Sequence, residues 1–211
     1  MNADFDMPYT PHVERLIELA LYEDVGHGDI TTESLCLDNA KGVGRIAAKQ
    51  PLILAGIDVV RRVFAKIEPD IIFLPSFKDG TQIEAAGTII AEIRAPMRAL
   101  LIGERTALNF LQRMSGVATH VQSYARSLTD SDIRLVDTRK TIPGWRVLDK
   151  YAVRVGGARN HRMGLYDGVL IKENHIAACG GIGPAVEKVK KQVSHLIRIE
   201  VETTDLAEVE V

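Results

Sequence analysis

The stretch IRLVDTRK, Ile133–Lys140, begins as an apolar, strand-like run and ends in an acid, a threonine and two cations. The same order recurs in GVLIKENH, Gly168–His175, and in IRIEVET, Ile197–Thr203. Helices predicted near 145–155 and 184–193 separate the three runs, which indicates parallel βα units in an open sheet or a barrel. Because the carboxyl ends of parallel strands meet on one face, the polar tails are expected to share a pocket. The tails supply these site candidates: Asp137, Thr138, Arg139, Lys140, Lys172, Glu173, His175, Glu200 and Glu202.

These tails combine groups that bind anions with groups that bind hydroxyls or metal ions. Arginine grips carboxylates and phosphates through paired hydrogen bonds, and lysine offers a compact charge on a long stem. Glu200 and Glu202 lie two residues apart on a predicted strand, so they face the same side and need cations, ribose hydroxyls or Mg²⁺ as partners. A metal-chelated, phosphorylated ligand that bears hydroxyls suits this set, and a structural ion-pair network is the alternative. Asp137 is open between orienting the cations and capping the strand end.

The part of the chain that precedes these runs has a different pattern of predicted helices and strands. An apolar repeat over 13–20 predicts an amphipathic helix that ends near Gly26. Over 44–96, short β-branched segments alternate with Asp-Gly, Ala-Gly and Pro, and one helix, Ile57–Ile67, interrupts them. We therefore predict an α+β region followed by a long helix over 97–128.

The net charge of −2 hides an asymmetry. The segment Arg139–Lys172 holds eight basic residues against two acidic ones, a net charge of +6, which leaves −8 for the remainder. A positive segment in a negative protein favours small anionic ligands over nucleic acid, whose backbone the remaining surface would repel. The alternatives are a solvated basic helix face and a non-catalytic module that binds anions or nucleic acid through this segment.

Composition and motifs narrow the function further. The chain has 211 residues, 46% of them apolar and 26% charged, which is typical of a globular protein with a substantial core. With no apolar window long enough to span a bilayer, and with no signal-like or transit-like start, a cytoplasmic location is expected. There is no GK[ST] phosphate loop, no HExxH and no GxSxG motif. Cys36 and Cys179 lack CxxC spacing and are interpreted as buried thiols.

Four segments resemble the sequence blocks of the quinolinate phosphoribosyltransferase family. They are ERTALNFLQRMSGVAT (Glu104–Thr119), VDTRKTIPGWR (Val136–Arg146), KYAVRVGGARNHRMGLYDGVLIKENHI (Lys150–Ile176) and IEVET (Ile199–Thr203). The resemblance runs in order over nearly the whole chain. It implies transfer of a phosphoribosyl group from phosphoribosyl pyrophosphate to quinolinate with decarboxylation, which yields nicotinate mononucleotide, pyrophosphate and CO₂ for NAD biosynthesis.

The resemblance also implies a fold and an assembly. The expected fold is an N-terminal α/β sandwich domain, residues 1–110, followed by a parallel α/β barrel domain with the catalytic site, residues 111–211. A homodimer or higher homo-oligomer is expected, with Mg²⁺ held mainly through the pyrophosphate and ribose of the substrate and with no protein ligand assigned. Family members continue with further βα units, so we expect an incomplete barrel, and we expect these 211 residues alone to bind phosphoribosyl pyrophosphate weakly and turn over little.

The resemblance implies a pocket for quinolinate. Four cationic side chains would hold its two carboxylates, and a threonine would line the same pocket: Arg139, His161, Arg162, Lys172 and Thr138. The intact cationic set suits a dicarboxylate. It argues against a relative of the same fold, such as the phosphoribosyltransferase-like protein found with molybdenum transport systems or a nicotinate-using enzyme.

Other residues are expected to serve the second substrate and the neighbouring subunit. By the resemblance, Lys140 faces the pyrophosphate, and Glu202, together with Glu200, contacts the ribose hydroxyls or the metal. Arg105 reaches into the site of the neighbouring subunit. Three residues are assigned a direct part in catalysis: Lys140, Lys172 and Glu202.

Overall fold

The computed structural model describes residues 5–8, 10–35, 40–128 and 132–211, and the chain divides into two compact units, Met1–Asn160 and His161–Val211. The first unit contains, in chain order, α1 (Pro11–Val25), α2 (Ile30–Ser34), β1 (Lys41–Ala47), β2 (Leu52–Ile53), α3 (Ile57–Ile67), β3 (Ile72–Pro75), β4 (Gln82–Ile83), β5 (Ile89–Pro96), α4 (Met97–Ser127) and α5 (Arg146–Val155). The second contains β6 (Val169–Ile171), α6 (Glu173–Cys179), α7 (Ile182–Gln192), β7 (Ile199–Val201) and α8 (Leu206–Val209). The mixed α/β fold class is confirmed.

The helices of the first unit begin and end at residues that the sequence marks. The hydroxyl of Thr10 caps α1 by accepting from the main-chain N–H of Val13 at 3.3 Å, and Pro11 occupies the first turn. Gly26, with φ +52°, follows the last residue of α1, as predicted. The predicted helix Ile57–Ile67 is observed with the same bounds. A domain boundary after residue 110, which lies within α4, stays a prediction.

In the described part of the first unit, β1, β5 and β3 form a three-stranded antiparallel sheet in the order β1-β5-β3, and β2 and β4 form a separate two-stranded antiparallel sheet. Lys41 of β1 faces Pro96 of β5, and Ile72 of β3 faces Arg94 of β5. The apolar core forms where this sheet, α3 and α4 bury their aliphatic and aromatic side chains, which removes them from water. Its members include Val60, Val63, Ile93, Phe110 and Met114.

A buried carboxylate links the start of α3 to α5. Asp79 accepts hydrogen bonds from the N–H groups of Gly56 at 2.8 Å and Ile57 at 3.0 Å, and from the Tyr151 hydroxyl at 2.6 Å. Burial raises the pKa of Asp79 above its usual range, although these hydrogen bonds oppose the shift. Burial, with the Asp79 carboxylate nearby, also raises the pKa of Tyr151. The hydroxyl therefore stays protonated and donates.

The start of α5 is fixed on α4 by one ion pair and one aromatic contact. The Arg113 guanidinium binds the Asp149 carboxylate through three hydrogen bonds of 2.9–3.1 Å. The Trp145 ring stacks on Phe110 with centroids 4.8 Å apart, and Arg113 lies 5.2 Å from the Trp145 centroid. The chain that precedes α5 is thereby anchored at its carboxyl end.

The predicted strand at Ile133–Lys140 is wrong as a strand, because it is reduced to a single parallel bridge between Val136 and Arg159. Arg159 donates to the carbonyl of Leu135 at 2.9 Å and accepts from the N–H of Asp137 at 3.1 Å. Gly157, with φ +100°, turns the chain two residues before Arg159, which limits the parallel pairing on the amino-terminal side of the bridge.

The second unit confirms the predicted parallel arrangement. β6 and β7 pair in parallel, with Val169 opposite Ile199 and Ile171 opposite Val201, and the helices α6 and α7 connect them. α7 begins two residues before the predicted start and holds Pro184 in its first turn, where a missing N–H costs nothing. Across the described ranges, every helix is too short or too polar to cross a membrane.

Candidate functional site

Three of the predicted site residues lie on one turn of the first unit. Lys140 donates its main-chain N–H to the Thr138 hydroxyl at 3.0 Å, and the N–H of Thr141 donates to the Arg139 carbonyl at 3.0 Å. Thr138 and Lys140 are exposed, and Arg139 is half-buried. The turn Thr138–Lys140 therefore presents one hydroxyl and two cations.

Asp137, which precedes this turn, is directed into the protein. One carboxylate oxygen forms an ion pair with the Lys150 ammonium, and the other accepts from the Asn160 amide at 2.7 Å. Asn160 also donates to the Lys150 carbonyl at 2.8 Å. The side chains of Lys150 and Asp137 are 1% and 8% exposed. Asp137 is thus one partner of a buried pair, a role that the sequence left open.

Lys150 does not add to the positive charge that the segment Arg139–Lys172 presents at the surface. The sequence counts it within the positive segment Arg139–Lys172, yet its charge is buried and compensated by Asp137. A signal was available, since Lys150 lies between Leu148 and Tyr151, two residues of the buried face of α5. A lysine inside such a face needs a buried carboxylate. The sequence does not reveal which carboxylate it is.

Within the described residues, two buried side-chain polar atoms have no hydrogen-bond partner, and both are the Nε of an arginine, Arg139 and Arg162. The Arg162 guanidinium is held through another nitrogen, Nη1, which donates to the Gly168 carbonyl at 2.9 Å. A buried donor left without an acceptor costs about 1–3 kcal/mol. An anionic oxygen supplied by a ligand would remove that cost, so both guanidinium groups are suited to bind a carboxylate or a phosphate.

In the second unit, the glutamate in β7, Glu200, and the glutamate just after it, Glu202, each lie beside a basic side chain. Glu200 lies 2.8 Å from the Nε2 of His161, and Glu202 lies 2.7 Å from the ammonium of Lys172. The glutamate side chains are 60% and 59% exposed. Exposed contacts of this kind add little stability, so a ligand carboxylate can replace a glutamate at either basic side chain at low cost.

The remaining two candidates of this unit lie in the first turn of α6. His175 accepts the main-chain N–H of Lys172 through Nδ1 at 3.0 Å, so it caps the helix. Glu173 is exposed beside it. Asp167, which the sequence did not single out, holds the preceding loop by accepting from the N–H groups of Met163 at 2.7 Å and Gly164 at 2.8 Å. The Asp167 carboxylate therefore positions the main chain of this loop and offers no free group to a ligand.

Arg105 is exposed on α4 of the first unit and makes no hydrogen bond or ion pair with the residues that the structure describes. Its neighbour Thr106 is buried and donates to Asp24 of α1 at 3.4 Å. The helix is therefore held in place while the guanidinium of Arg105 projects into solvent.

The acidic and sulfur-containing side chains that the structure describes do not form a metal site by themselves. No group of three His, Cys, Asp or Glu side chains placed to hold a metal ion occurs over residues 5–8, 10–35, 40–128 and 132–211. Cys179 is half-buried instead of buried, and Cys36 lies outside the described residues. Any divalent cation would need ligands from a substrate as well.

Both parts of the chain match family profiles. Residues 29–115 match the N-terminal domain of quinolinate phosphoribosyl transferase, and residues 117–211 match the C-terminal domain. A probable nicotinate-nucleotide pyrophosphorylase [carboxylating] of Bacillus subtilis is 43% identical over 90% of this chain and 65% of its own length. A quinolinate phosphoribosyltransferase [decarboxylating] of Nicotiana tabacum is 38% identical over 95% of this chain and 57% of its own length.

Solved structures are similar over nearly all of this chain. NadC from Streptococcus pyogenes superposes with a TM-score of 0.92 at 38% identity, over 97% of this chain and 73% of that one. The nicotinate-nucleotide pyrophosphorylase from Francisella tularensis gives a TM-score of 0.90 at 39% identity, over 97% of this chain and 72% of that one. The chain thus spans less than two thirds of the length of these two curated relatives and nearly three quarters of that of the solved structures.

Proposed function

Because this chain belongs to the quinolinate phosphoribosyltransferase family, we propose that it transfers a phosphoribosyl group from phosphoribosyl pyrophosphate to quinolinate with loss of CO₂. The relatives named above are called carboxylating nicotinate-nucleotide pyrophosphorylases or decarboxylating quinolinate phosphoribosyltransferases. One observation in the molecule supports the proposal most strongly. Its two buried, unpartnered Nε donors belong to Arg139 and Arg162, the arginines that a dicarboxylate needs.

Quinolinate would be bound through its two carboxylates. Arg139 and Arg162 each offer an Nε donor that an anionic oxygen would satisfy. His161 and Lys172 lie in exposed pairs with glutamates, so they can turn to a ligand carboxylate. Thr138 adds a neutral hydroxyl beside Arg139. Nicotinate, with one carboxylate, would leave part of this cationic set without an anion.

Phosphoribosyl pyrophosphate would be bound by the remaining candidates, Lys140, Glu202 and Glu200. Lys140 is exposed on its turn and would stabilise the negative charge that develops on the departing pyrophosphate. Glu202, with Glu200, would accept hydrogen bonds from ribose hydroxyls and lie near the positive charge that develops on the sugar. The quinolinate nitrogen attacks as pyrophosphate leaves, and the arginines supply orientation.

The decarboxylation step needs no strong base from the protein. Once the ring nitrogen is bonded to ribose it is positively charged, so it would stabilise the electron pair that the departing CO₂ leaves on the adjacent carbon, and that carbon would then take up a proton from water. The side chains would therefore hold the ring in place while the carbon–carbon bond breaks. Lys172 would remain close to the reacting carboxyl group.

Magnesium fits this residue set only together with the substrate. The exposed carboxylates of Glu200 and Glu202 are the available oxygen ligands, and Mg²⁺ commonly takes one or two protein carboxylates plus substrate phosphate oxygens. When bound, the ion would neutralise charge on the pyrophosphate. Glu202, with Glu200, would supply the protein oxygen ligands where these side chains contact the ion instead of the ribose hydroxyls.

The assembly forms part of the same proposal. Arg105 is exposed on a well-packed helix and has no partner in the part of the chain that the structure describes. We assign it to the site of a neighbouring subunit in a homodimer or higher homo-oligomer. Nucleic acid is a poorer partner, because the buried Lys150 removes one charge from the positive segment.

A product assay tests the reaction. With quinolinate, phosphoribosyl pyrophosphate and Mg²⁺, we expect a low turnover by these 211 residues alone, in which chromatography shows nicotinate mononucleotide formed in equal amount to pyrophosphate. Lys140→Ala should lower the rate by about a hundredfold, since one stabilising cation is lost at the leaving group. Lys49→Ala, an exposed lysine of the same unit, is the control and should leave the rate unchanged. An equal rate in the Lys140 variant would contradict the role assigned to Lys140, and an absence of product would contradict the reaction.

A further inference from the structure

We propose that Asp137 is a positioning residue for the turn Thr138–Lys140 and that it acts through Lys150 and Asn160. The inference rests on the proposed function, because it states how Arg139 is held ready for an anionic substrate. It assigns no contact with substrate to Asp137 itself.

The geometry fixes Asp137 in three ways. Its N–H donates to the Arg159 carbonyl at 3.1 Å, one carboxylate oxygen pairs with Lys150, and the other accepts from Asn160 at 2.7 Å. Asn160 closes the network by donating to the Lys150 carbonyl at 2.8 Å. Main chain and side chain of residue 137 are therefore both immobilised.

The turn that follows has much weaker support of its own. Its hydrogen bonds are local, from the N–H of Lys140 to the Thr138 hydroxyl and from the N–H of Thr141 to the Arg139 carbonyl. Thr138 and Lys140 are exposed. The direction in which the Arg139 side chain leaves the main chain consequently depends on the residue that precedes the turn, which is Asp137.

The cost of the buried pair favours a role beyond stability. The Lys150 side chain is 1% exposed, and burying two charges costs several kcal/mol per ion before their attraction offsets it. Apolar residues of the same size often fill such a place with equal or greater stability. The buried pair of Asp137 and Lys150 is better explained by the turn that it holds in place, Thr138–Lys140.

The pair also determines which cations stay available. Asp137 is two residues from Arg139 and three from Lys140, within reach of either side chain. Its pairing with Lys150 and Asn160 directs the carboxylate inward, away from these cations. The Nε of Arg139 remains buried without a partner and ready for a ligand oxygen.

The test compares Asp137→Asn with a core variant of similar stability. Val63→Ala removes buried volume on α3 of the same unit, outside the turn Thr138–Lys140 and the network of Asp137, so it serves as the destabilised control. The first measurement is the exchange rate of the Arg139 Nε–H with water, followed by NMR well below the melting temperature. The second is the dissociation constant for quinolinate. If Asp137→Asn does not fold, Asn160→Ala replaces it, since this change removes one hydrogen bond and keeps the ion pair.

We expect Asp137→Asn to speed exchange at the Arg139 Nε–H and to raise the quinolinate dissociation constant, each by about tenfold or more. Asn160→Ala should change both in the same direction by less, and Val63→Ala should change neither. Unaltered Arg139 exchange in Asp137→Asn, or an equal change in Val63→Ala, would overturn the positioning role. Faster exchange together with an unmutated protein that does not bind quinolinate would support the positioning role while removing the proposed substrate.

Discussion

Replacing Arg139 with alanine is expected to abolish useful binding of quinolinate while the fold stays intact. Arg139 is half-buried, its Nε has no acceptor among the described residues, and it is not one of the buried residues that form the core cluster. Loss of one partner of a desolvated charge pair costs about 2–5 kcal/mol, which is roughly 30- to 5,000-fold in affinity. Isothermal calorimetry measures this directly.

Arg134→Ala is the matched control, because Arg134 is an exposed arginine of the same stretch as Arg139, Ile133–Lys140. We expect it to bind quinolinate like the unmutated protein. Arg139→Lys should recover only part of the affinity, since an ammonium cannot reproduce the paired hydrogen bonds of a guanidinium. Near-normal affinity in Arg139→Ala would contradict the assignment of this residue to a substrate carboxylate.

The Lys150→Met variant is expected to lose about 3–5 kcal/mol of its free energy of unfolding, because it leaves the Asp137 carboxylate buried without its cation. Denaturant titration followed by circular dichroism provides the measurement. The methionine keeps the length and volume of the lysine side chain, so a cavity does not account for the loss.

Two further variants separate the charge effect from other causes. Lys49→Met removes an exposed lysine of the same unit and should change the free energy of unfolding by less than about 0.5 kcal/mol. Adding Asp137→Asn to Lys150→Met removes the uncompensated carboxylate and should restore part of the loss. An equally destabilised double variant would show that the ion pair is not the reason.

The periodic elements of this chain could be predicted because their signals are local. The helix Ile57–Ile67, the end of α1 at Gly26 and the parallel order of β6 and β7 follow from apolar spacing, glycine and alternation of strands with helices. The strand predicted at Ile133–Lys140 failed for a non-local reason. Its length depends on the partner segment at Arg159, whose pairing the positive φ of Gly157 limits on the amino-terminal side.

The candidate site could also be predicted only as far as its signals are local. The residue types at the strand ends indicated an anion site, and the structure places Thr138, Arg139 and Lys140 on one turn. The partners of each charge could not be predicted, since His161 meets a glutamate 39 residues away along the chain. Tertiary contacts determine whether a charge is available to a ligand or is already paired.

Calorimetric titration with quinolinate and then with nicotinate shows whether the site selects a dicarboxylate, because the two ligands differ by a single carboxylate. If Arg139, His161, Arg162 and Lys172 serve a dicarboxylate, quinolinate will bind and nicotinate will bind at least about tenfold more weakly, the loss of one charge-assisted contact. Equal affinity for the two ligands, or binding of nicotinate alone, would contradict the account.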